Sequence, residues 1–242
     1  MTSNATSGSP AAQNALRGIS SMATRQLLGE LVTLYGDHGV TVQIESMGGV
    51  DAARRVAADE PWDLVVLASD AIDRLMDAGK LVAGTRVDLV VSGVSMAVPE
   101  GRDLPDVSSE ASLRAAVVSA GRIGYSTGPS GVALLRLFER WGVTGALGDR
   151  LMQAPPGVPV ASLVARGEVD LGFQQLSELL HVPGITLVGP MPAEVAIDTI
   201  FSAAVAARCT DTRRRQAARD FIDFMASSAC DEAKRRQGMT PA

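Results

Sequence analysis

The stretch Gly124-Tyr-Ser-Thr-Gly-Pro-Ser-Gly-Val132 separates two kinds of sequence pattern. Before it, Arg122-Ile-Gly-Tyr125 is short and apolar, as a strand end is. After it, Val132, Leu135, Phe138 and Trp141 recur every third residue, which marks one face of a helix. The pattern predicts a strand, a tight turn and a helix start, with Ser130 as the N-cap. Unpaired N–H groups and the positive end of the helix dipole converge there, a setting that favours an anion or a polar ligand. No Gly-Lys-Ser/Thr follows, so this is not a Walker loop.

The same strand–turn–helix order recurs on both sides. Towards the N-terminus the pattern predicts strands at 15–20, 40–44 and 63–68. Helices are expected at 23–35, 49–58 and 71–78. Asp63-Leu-Val-Val-Leu-Ala68 is a continuous apolar run of the kind found in buried parallel strands. A long strand at 89–99 and a Pro/Asp/Ser-rich loop at 101–109 open a second series. Its helices are expected at 112–119, 132–141, 159–166 and 175–180. Its strands are expected near Ile123 and at 169–173 and 185–188. A strand at 199–207 then leads to helices at 213–225 and 228–237. The fold class is α/β, with two doubly wound lobes joined by hinge strands. Lobe I is expected over 14–92 plus 199–242, lobe II over 93–198, and a disordered tail over 1–13.

Composition narrows the function. The 242 residues are 46% hydrophobic and 20% charged, with a net charge of −5, as in globular proteins. No basic stripe carries interleaved aromatics, so no nucleic-acid partner is expected. Arg213-Arg214-Arg215 has acidic neighbours and reads as a solvated helix face. No apolar run reaches the roughly 20 residues of a membrane span, so no membrane insertion is expected. Residues 1–12 lack a basic n-region and an apolar h-region. As written, the chain is therefore expected to be cytoplasmic, or periplasmic if a leader was removed. Cys209 and Cys230 match no metal motif, and pairing between them is neither required nor excluded. His38 and His181 sit in separate turns without ligand-spaced partners, so neither a metal nor a cofactor is expected.

Four loops place hydroxyls or glycines before helices. They contain Ser20 and Ser21, Ser46 and Gly48, Ser69, and Ser126 with Ser130. One serine at a helix start is an ordinary N-cap. In a doubly wound sheet, however, all such loops share one edge, where ligands bind. Glu45, Asp70, Tyr125 and Glu178 are acid–base candidates near these loops, and Arg25 could pair with a carboxylate. Asp70 reads more simply as an N-cap and Glu178 as an exposed helix residue. No Gly-x-Ser-x-Gly occurs.

Several segments together resemble the type 2 periplasmic-binding-protein fold, in the branch around bacterial molybdate-binding proteins of ABC importers. They are Pro61-Trp-Asp-Leu-Val-Val-Leu-Ala-Ser-Asp70, Gly79-Lys-Leu-Val-Ala-Gly84, the stretch 125–132 with Phe138-Glu-Arg140, and Val164-Ala-Arg-Gly-Glu-Val-Asp-Leu-Gly172. Phe221-Ile-Asp-Phe-Met-Ala226 and Gln237-Gly-Met-Thr-Pro241 are similar to the family's ending. The resemblance implies a small oxyanion or organic anion held between two lobes, with an ABC permease as partner. Carried onto this chain, it implies contacts from Ser20, Ser21, Ser46, Gly48, Ser130, Gly131 and Val132. Gln174 and Gln175, after the strand at 169–173, could face the same cleft. Met22 and Met47 depart from a site shaped for a compact tetrahedral anion, and the two glutamines suit an organic ligand at least as well. The alternative is a cytoplasmic isomerase on the same fold, acting on an unsaturated tricarboxylate as aconitate isomerase does.

Overall fold

The computed structural model describes residues 15–36 and 39–242; the expected tail at 1–13 and His38 lie outside the described residues. The chain begins with β1 (Leu16–Ser21), a short 3-10 turn (Met22–Thr24), α1 (Arg25–Tyr35), β2 (Val42–Met47), α2 (Gly49–Ala57), β3 (Leu64–Ala68) and α3 (Ser69–Asp77). A 13-residue strand, β4 (Val87–Pro99), follows. Next come α4 (Glu110–Ser119), β5 (Ile123–Tyr125), α5 (Pro129–Arg140), α6 (Thr144–Leu147), β6 (Leu151–Gln153), α7 (Val160–Ala165), β7 (Leu171–Gln175), α8 (Leu176–Leu179) and β8 (Ile185–Pro190). The chain closes with β9 (Asp198–Val205), α9 (Thr212–Ala226), α10 (Asp231–Arg236) and β10 (Met239–Pro241).

Two doubly wound halves result. In the first, β1 runs parallel to β2 and β3, while β9 is antiparallel to β3 and β4. In the second, β5 runs parallel to β6 and β7, and β4 is antiparallel to β7 and β8. β4 belongs to both halves: Val87–Gly93 pairs with β9, and Val94 onward pairs with β7 and then β8.

All five residues of β3 are buried, as its unbroken apolar run requires. Alternation sends Leu64, Val66 and Ala68 to one face, where Leu27, Leu28 and Leu31 of α1 pack. Val65 and Leu67 face the other way, onto Ala52 and Val56 of α2 and Ile72 and Leu75 of α3. The second half repeats the plan with Phe138, Leu134 and Phe173 on one face and Val160, Val164 and Val169 on the other. A buried carboxylate locks the first half. Asp63 accepts from the Arg17 N–H at 2.7 Å and forms an ion pair with Arg214 of α9. Arg214 is therefore tied to the core rather than being part of a solvated face, the reading its sequence neighbours suggested.

Several boundaries differ from expectation for physical reasons. β2 pairs with β1 through Ser20–Ser46 and Ser21–Met47, so Ser46 and Met47 are strand residues, not loop residues. β7 likewise stays paired with β4 through Gln174 and Gln175. α5 starts at Pro129, since Pro suits the first helical position, and its N-cap is Gly128. Ser130 thus lies inside the first turn and does not cap it. α3 begins at Ser69, so Asp70 is no N-cap either. Ser109 caps α4 reciprocally with Ser112, which moves that start upstream to Glu110. β6, β10 and α6 span three or four residues each, too short for a periodic signal. Gly131 is required where it stands: a Cβ there would lie 1.9 Å from the Ser126 carbonyl oxygen.

Candidate functional site

A cleft of about 350 Å³ opens where the strand C-termini of both halves meet. The first half contributes Ser21 and Met22, Gly48 and Gly49 at the start of α2, and Ala68, Ala71 and Arg74 around α3. The second contributes the loop from Ser126 to Ser130, the segment around Pro155–Pro159, and Gln174, Gln175 and Glu178. Thr199 and Phe201 of β9 complete the wall. The starts of α2 and α3 bring first-turn N–H groups without intrahelical partners to this wall, which makes it favourable for negative charge, whereas at the start of α5 Pro129 has no N–H to offer.

The expected contact residues divide into two groups. Ser21, Gly48, Ser126, Ser130, Gln174 and Gln175 line the cleft; Ser20, Ser46, Ser69, Gly131 and Val132 do not. Ser20 is fully buried, and its hydroxyl is shared with Ser46 at 2.7 Å, so these two satisfy each other inside the sheet. The N–H groups of Gly131 and Val132 both donate to Gly128 O, at 3.0 and 3.2 Å, which leaves them unavailable to a ligand. The Val132 side chain points to solvent. Ser69, as the first residue of α3, stands outside the wall that Ala68 and Ala71 form. Ser130 keeps its place in the cleft, with its hydroxyl 3.1 Å from that of Ser126.

Two buried atoms at the cleft have no hydrogen-bond partner among the described residues: Ser21 Oγ and Gln175 Oε1. Gln175 donates from Nε2 to Thr199 Oγ1 at 2.9 Å. Because a threonine hydroxyl can donate or accept, the Gln175 amide can offer either end to a ligand. Gln174 is fixed. Its Oε1 accepts from the Ala161 N–H at 2.9 Å, and its Nε2 donates to Glu178 Oε1 at 2.8 Å.

Glu178 is the one carboxyl and Arg74 the one cation among the described residues that line the cleft. Burial pushes the Glu178 carboxyl up to about 7, against the opposing pull of the Gln174 hydrogen bond. Its packing overturns its reading as an exposed helix residue. The remaining acid–base candidates lie elsewhere. Glu45 is half exposed and pairs with Arg55, and Asp70 pairs with Arg74 at 2.9 Å. Tyr125 and Arg25 do not line the cleft. His181 sits in the turn after α8 with a φ of 62° and is not in the wall. The sequence reading missed Arg74, Thr199 and the Pro155–Pro159 segment. Arg74 carried a usable signal, since it lies one helical turn beyond the wall residue Ala71.

Among the described residues, no three His, Cys, Asp or Glu side chains cluster as metal ligands. No helix among them is long and apolar enough to cross a membrane. Cys209 and Cys230 are both buried and free.

Residues 16–240 match the model of the family described as bacterial extracellular solute-binding protein. An aconitate isomerase from Pseudomonas sp is 36% identical over 199 residues, which is 81% of this chain and 74% of that protein. The periplasmic molybdate-binding protein of Azotobacter vinelandii superposes with a TM-score of 0.77 at 17% identity, over 93% of this chain and 98% of its own. The sulfate-binding protein of Mycobacterium tuberculosis H37Rv gives 0.74 at 18%, over 95% and 87%. At such identities these two structures speak for the fold, the type 2 periplasmic-binding-protein fold. On the family match and the 36% relative, the chain belongs to the bacterial extracellular solute-binding protein family.

Proposed function

We propose that the cleft holds a small unsaturated polycarboxylate and moves one of its allylic protons, interconverting isomers of an aconitate-type tricarboxylate. The observation that carries this reading is Glu178, a lone cleft carboxyl raised to about 7 by burial. At that value it is divided between acid and base near neutral pH, as a proton carrier must be. The size and chemistry of the wall support an organic ligand. About 350 Å³ falls in the range of small-molecule pockets. Met22, Leu67, Val158 and Phe201 offer apolar surface that a tetraoxoanion cannot use. The relative named aconitate isomerase supports the substrate class.

In this reading, ionised Glu178 removes a proton from the methylene carbon of the substrate. The released electron pair becomes the new double bond. The old double-bond pair takes the proton back from Glu178 at the other end of the allylic unit. Nothing is oxidised, and no water is consumed. Negative charge that builds up on the substrate carboxylates is met by N–H groups at the start of α2 and by the Ser21 and Ser130 hydroxyls. Arg74 supplies a cation for one carboxylate. Closure of the two halves follows from binding, because only the closed form makes both sets of contacts. A receptor that passes the same anion to an ABC permease would use this cleft without the proton transfer.

The test is to incubate the protein with cis- or trans-aconitate and follow ultraviolet absorbance, with calorimetry on the aconitates, citrate, molybdate and sulfate. Conversion by the parent chain, lost in Glu178→Gln while binding persists, is the expected result. Aconitate binding without turnover would defeat the isomerase reading in favour of a receptor. Tight molybdate binding without aconitate binding would defeat the organic ligand.

A further inference from the structure

The Gln174–Glu178 contact has a directionality that hydrogen bonds between polar side chains rarely possess. Amide oxygen and nitrogen are ordinarily interchangeable in assignment. Here they are not. The Ala161 N–H at the start of α7 can only donate, so the atom facing it at 2.9 Å is Oε1. The NH2 group must then face Glu178, where it meets Oε1 at 2.8 Å. Gln174 is buried, and its backbone is held in register opposite Ser95 of β4, so the amide cannot turn away.

A proton on Glu178 Oε1 would turn the acceptor of the Gln174 N–H into a hydroxyl oxygen, a weaker acceptor than the carbonyl oxygen left there when the proton sits on Oε2. The proton therefore belongs on Oε2, which makes no hydrogen bond among the described residues. We infer that Gln174 is a positioning residue: by donating to Oε1 of Glu178, it makes Oε2 the oxygen that takes, carries and returns the proton in the cleft. The inference rests on the reading that Glu178 moves a substrate proton. It adds which oxygen does so, and why the neighbouring residue is an amide rather than an apolar side chain.

Few other charges bear on Glu178. The elements packed on its helix are β7, β4 and the Met22–Thr24 turn. β7 and the turn contain no charged residue, and the single charge of β4, Asp88, is engaged by Arg86 and Ser202 near the far end of that strand. The turn at Gly238, which approaches Leu176 and Leu180, includes Arg235 and Arg236, and these pair with Asp231 and with Glu30 and Glu232. Arg74 shares the cleft wall. The Gln174 amide is thus the polar group that acts directly on Glu178.

The experiment uses Gln174→Met, which removes the donor at similar length, and Gln174→Glu, which keeps an acceptor for the Ala161 N–H. Glu178 is titrated in the unliganded full chain by carbon-13 NMR of labelled glutamate, and the pH dependence of aconitate turnover is measured in parallel. Loss of the donor in Gln174→Met is expected to raise the Glu178 midpoint by about one pH unit. The alkaline-rising limb of kcat should move with it. In Gln174→Glu, two adjoining carboxyls should titrate as a coupled pair, one step below and one above the parent midpoint. A merely structural role would lower activity at every pH without moving the limb. An unchanged Glu178 midpoint in both variants overturns the inference. If Gln174→Met does not fold, Gln174→Glu carries the test alone. A shifted midpoint in a protein that turns over no aconitate supports the proton placement and defeats the isomerase reading, so the two failures are distinguishable.

Discussion

Replacing Glu178 by Gln should stabilise the protein at alkaline pH far more than at acidic pH. Burial raises this carboxyl from its ordinary value of 4.5 to about 7. Between those values the native state retains a proton that the unfolded chain has released. Stability therefore falls as pH rises through this window, and the whole penalty is present above it. A separation of one pH unit between the folded and unfolded midpoints corresponds to about 1.4 kcal/mol, so the full penalty is roughly 3 kcal/mol, of which about 2.5 develops between pH 5 and 8. Glutamine has the same shape and never ionises, so it is spared that penalty. Urea denaturation of both proteins at several pH values, without ligand, isolates the effect, because every other titrating group contributes equally to the two curves. The difference in unfolding free energy should grow by about 2 to 3 kcal/mol from pH 5 to 8. Parallel curves would mean that Glu178 titrates as an exposed carboxyl, and it could not then serve as the cleft's acid–base group near neutral pH.

Two further perturbations probe other links. Ser130→Ala should weaken ligand binding by about 1–2 kcal/mol, the worth of one charge-assisted hydrogen bond; unchanged affinity in calorimetry would remove Ser130 from the site. Asp63→Ala should destabilise the fold by about 3–5 kcal/mol in urea denaturation, because Arg214 and the Arg17 N–H lose a buried partner; a loss below about 1 kcal/mol would show that the lock is dispensable.

The sequence carried the fold because its signals are local. The run at 63–68 declares a strand buried on both faces, and the leucines of α1 declare a helix face, without any knowledge of what packs against them. The site was legible only in outline. Ser20 and Ser21 look equivalent in the sequence, yet alternation turns one into the sheet towards Ser46 and leaves the other at the cleft. Gly131 and Val132 look like free helix-start amides, but Gly128 is the true cap and its carbonyl takes both. Glu178 looks solvated in the sequence because its burial comes from distant partners. Its neighbour Ser177 donates to the Ala23 carbonyl at 2.7 Å across 154 residues of chain. Arg214 meets Asp63 across 151. No window of sequence contains such a pair.

The shared strand β4 has a consequence for how the molecule assembles. Its first half cannot complete its ladder until β9, more than 100 residues later, has been made, and its second half waits for β7 and β8. The second half is one contiguous stretch from Val94 through β8, but the first half is not: β1 to β3 must wait for β9, made after the whole second half. Loop-closure entropy must be met before these non-local ladders yield their stabilisation, which places the chain among slow folders of high contact order. It also means that melting one half strips partners from the other, so the two should unfold as one cooperative unit.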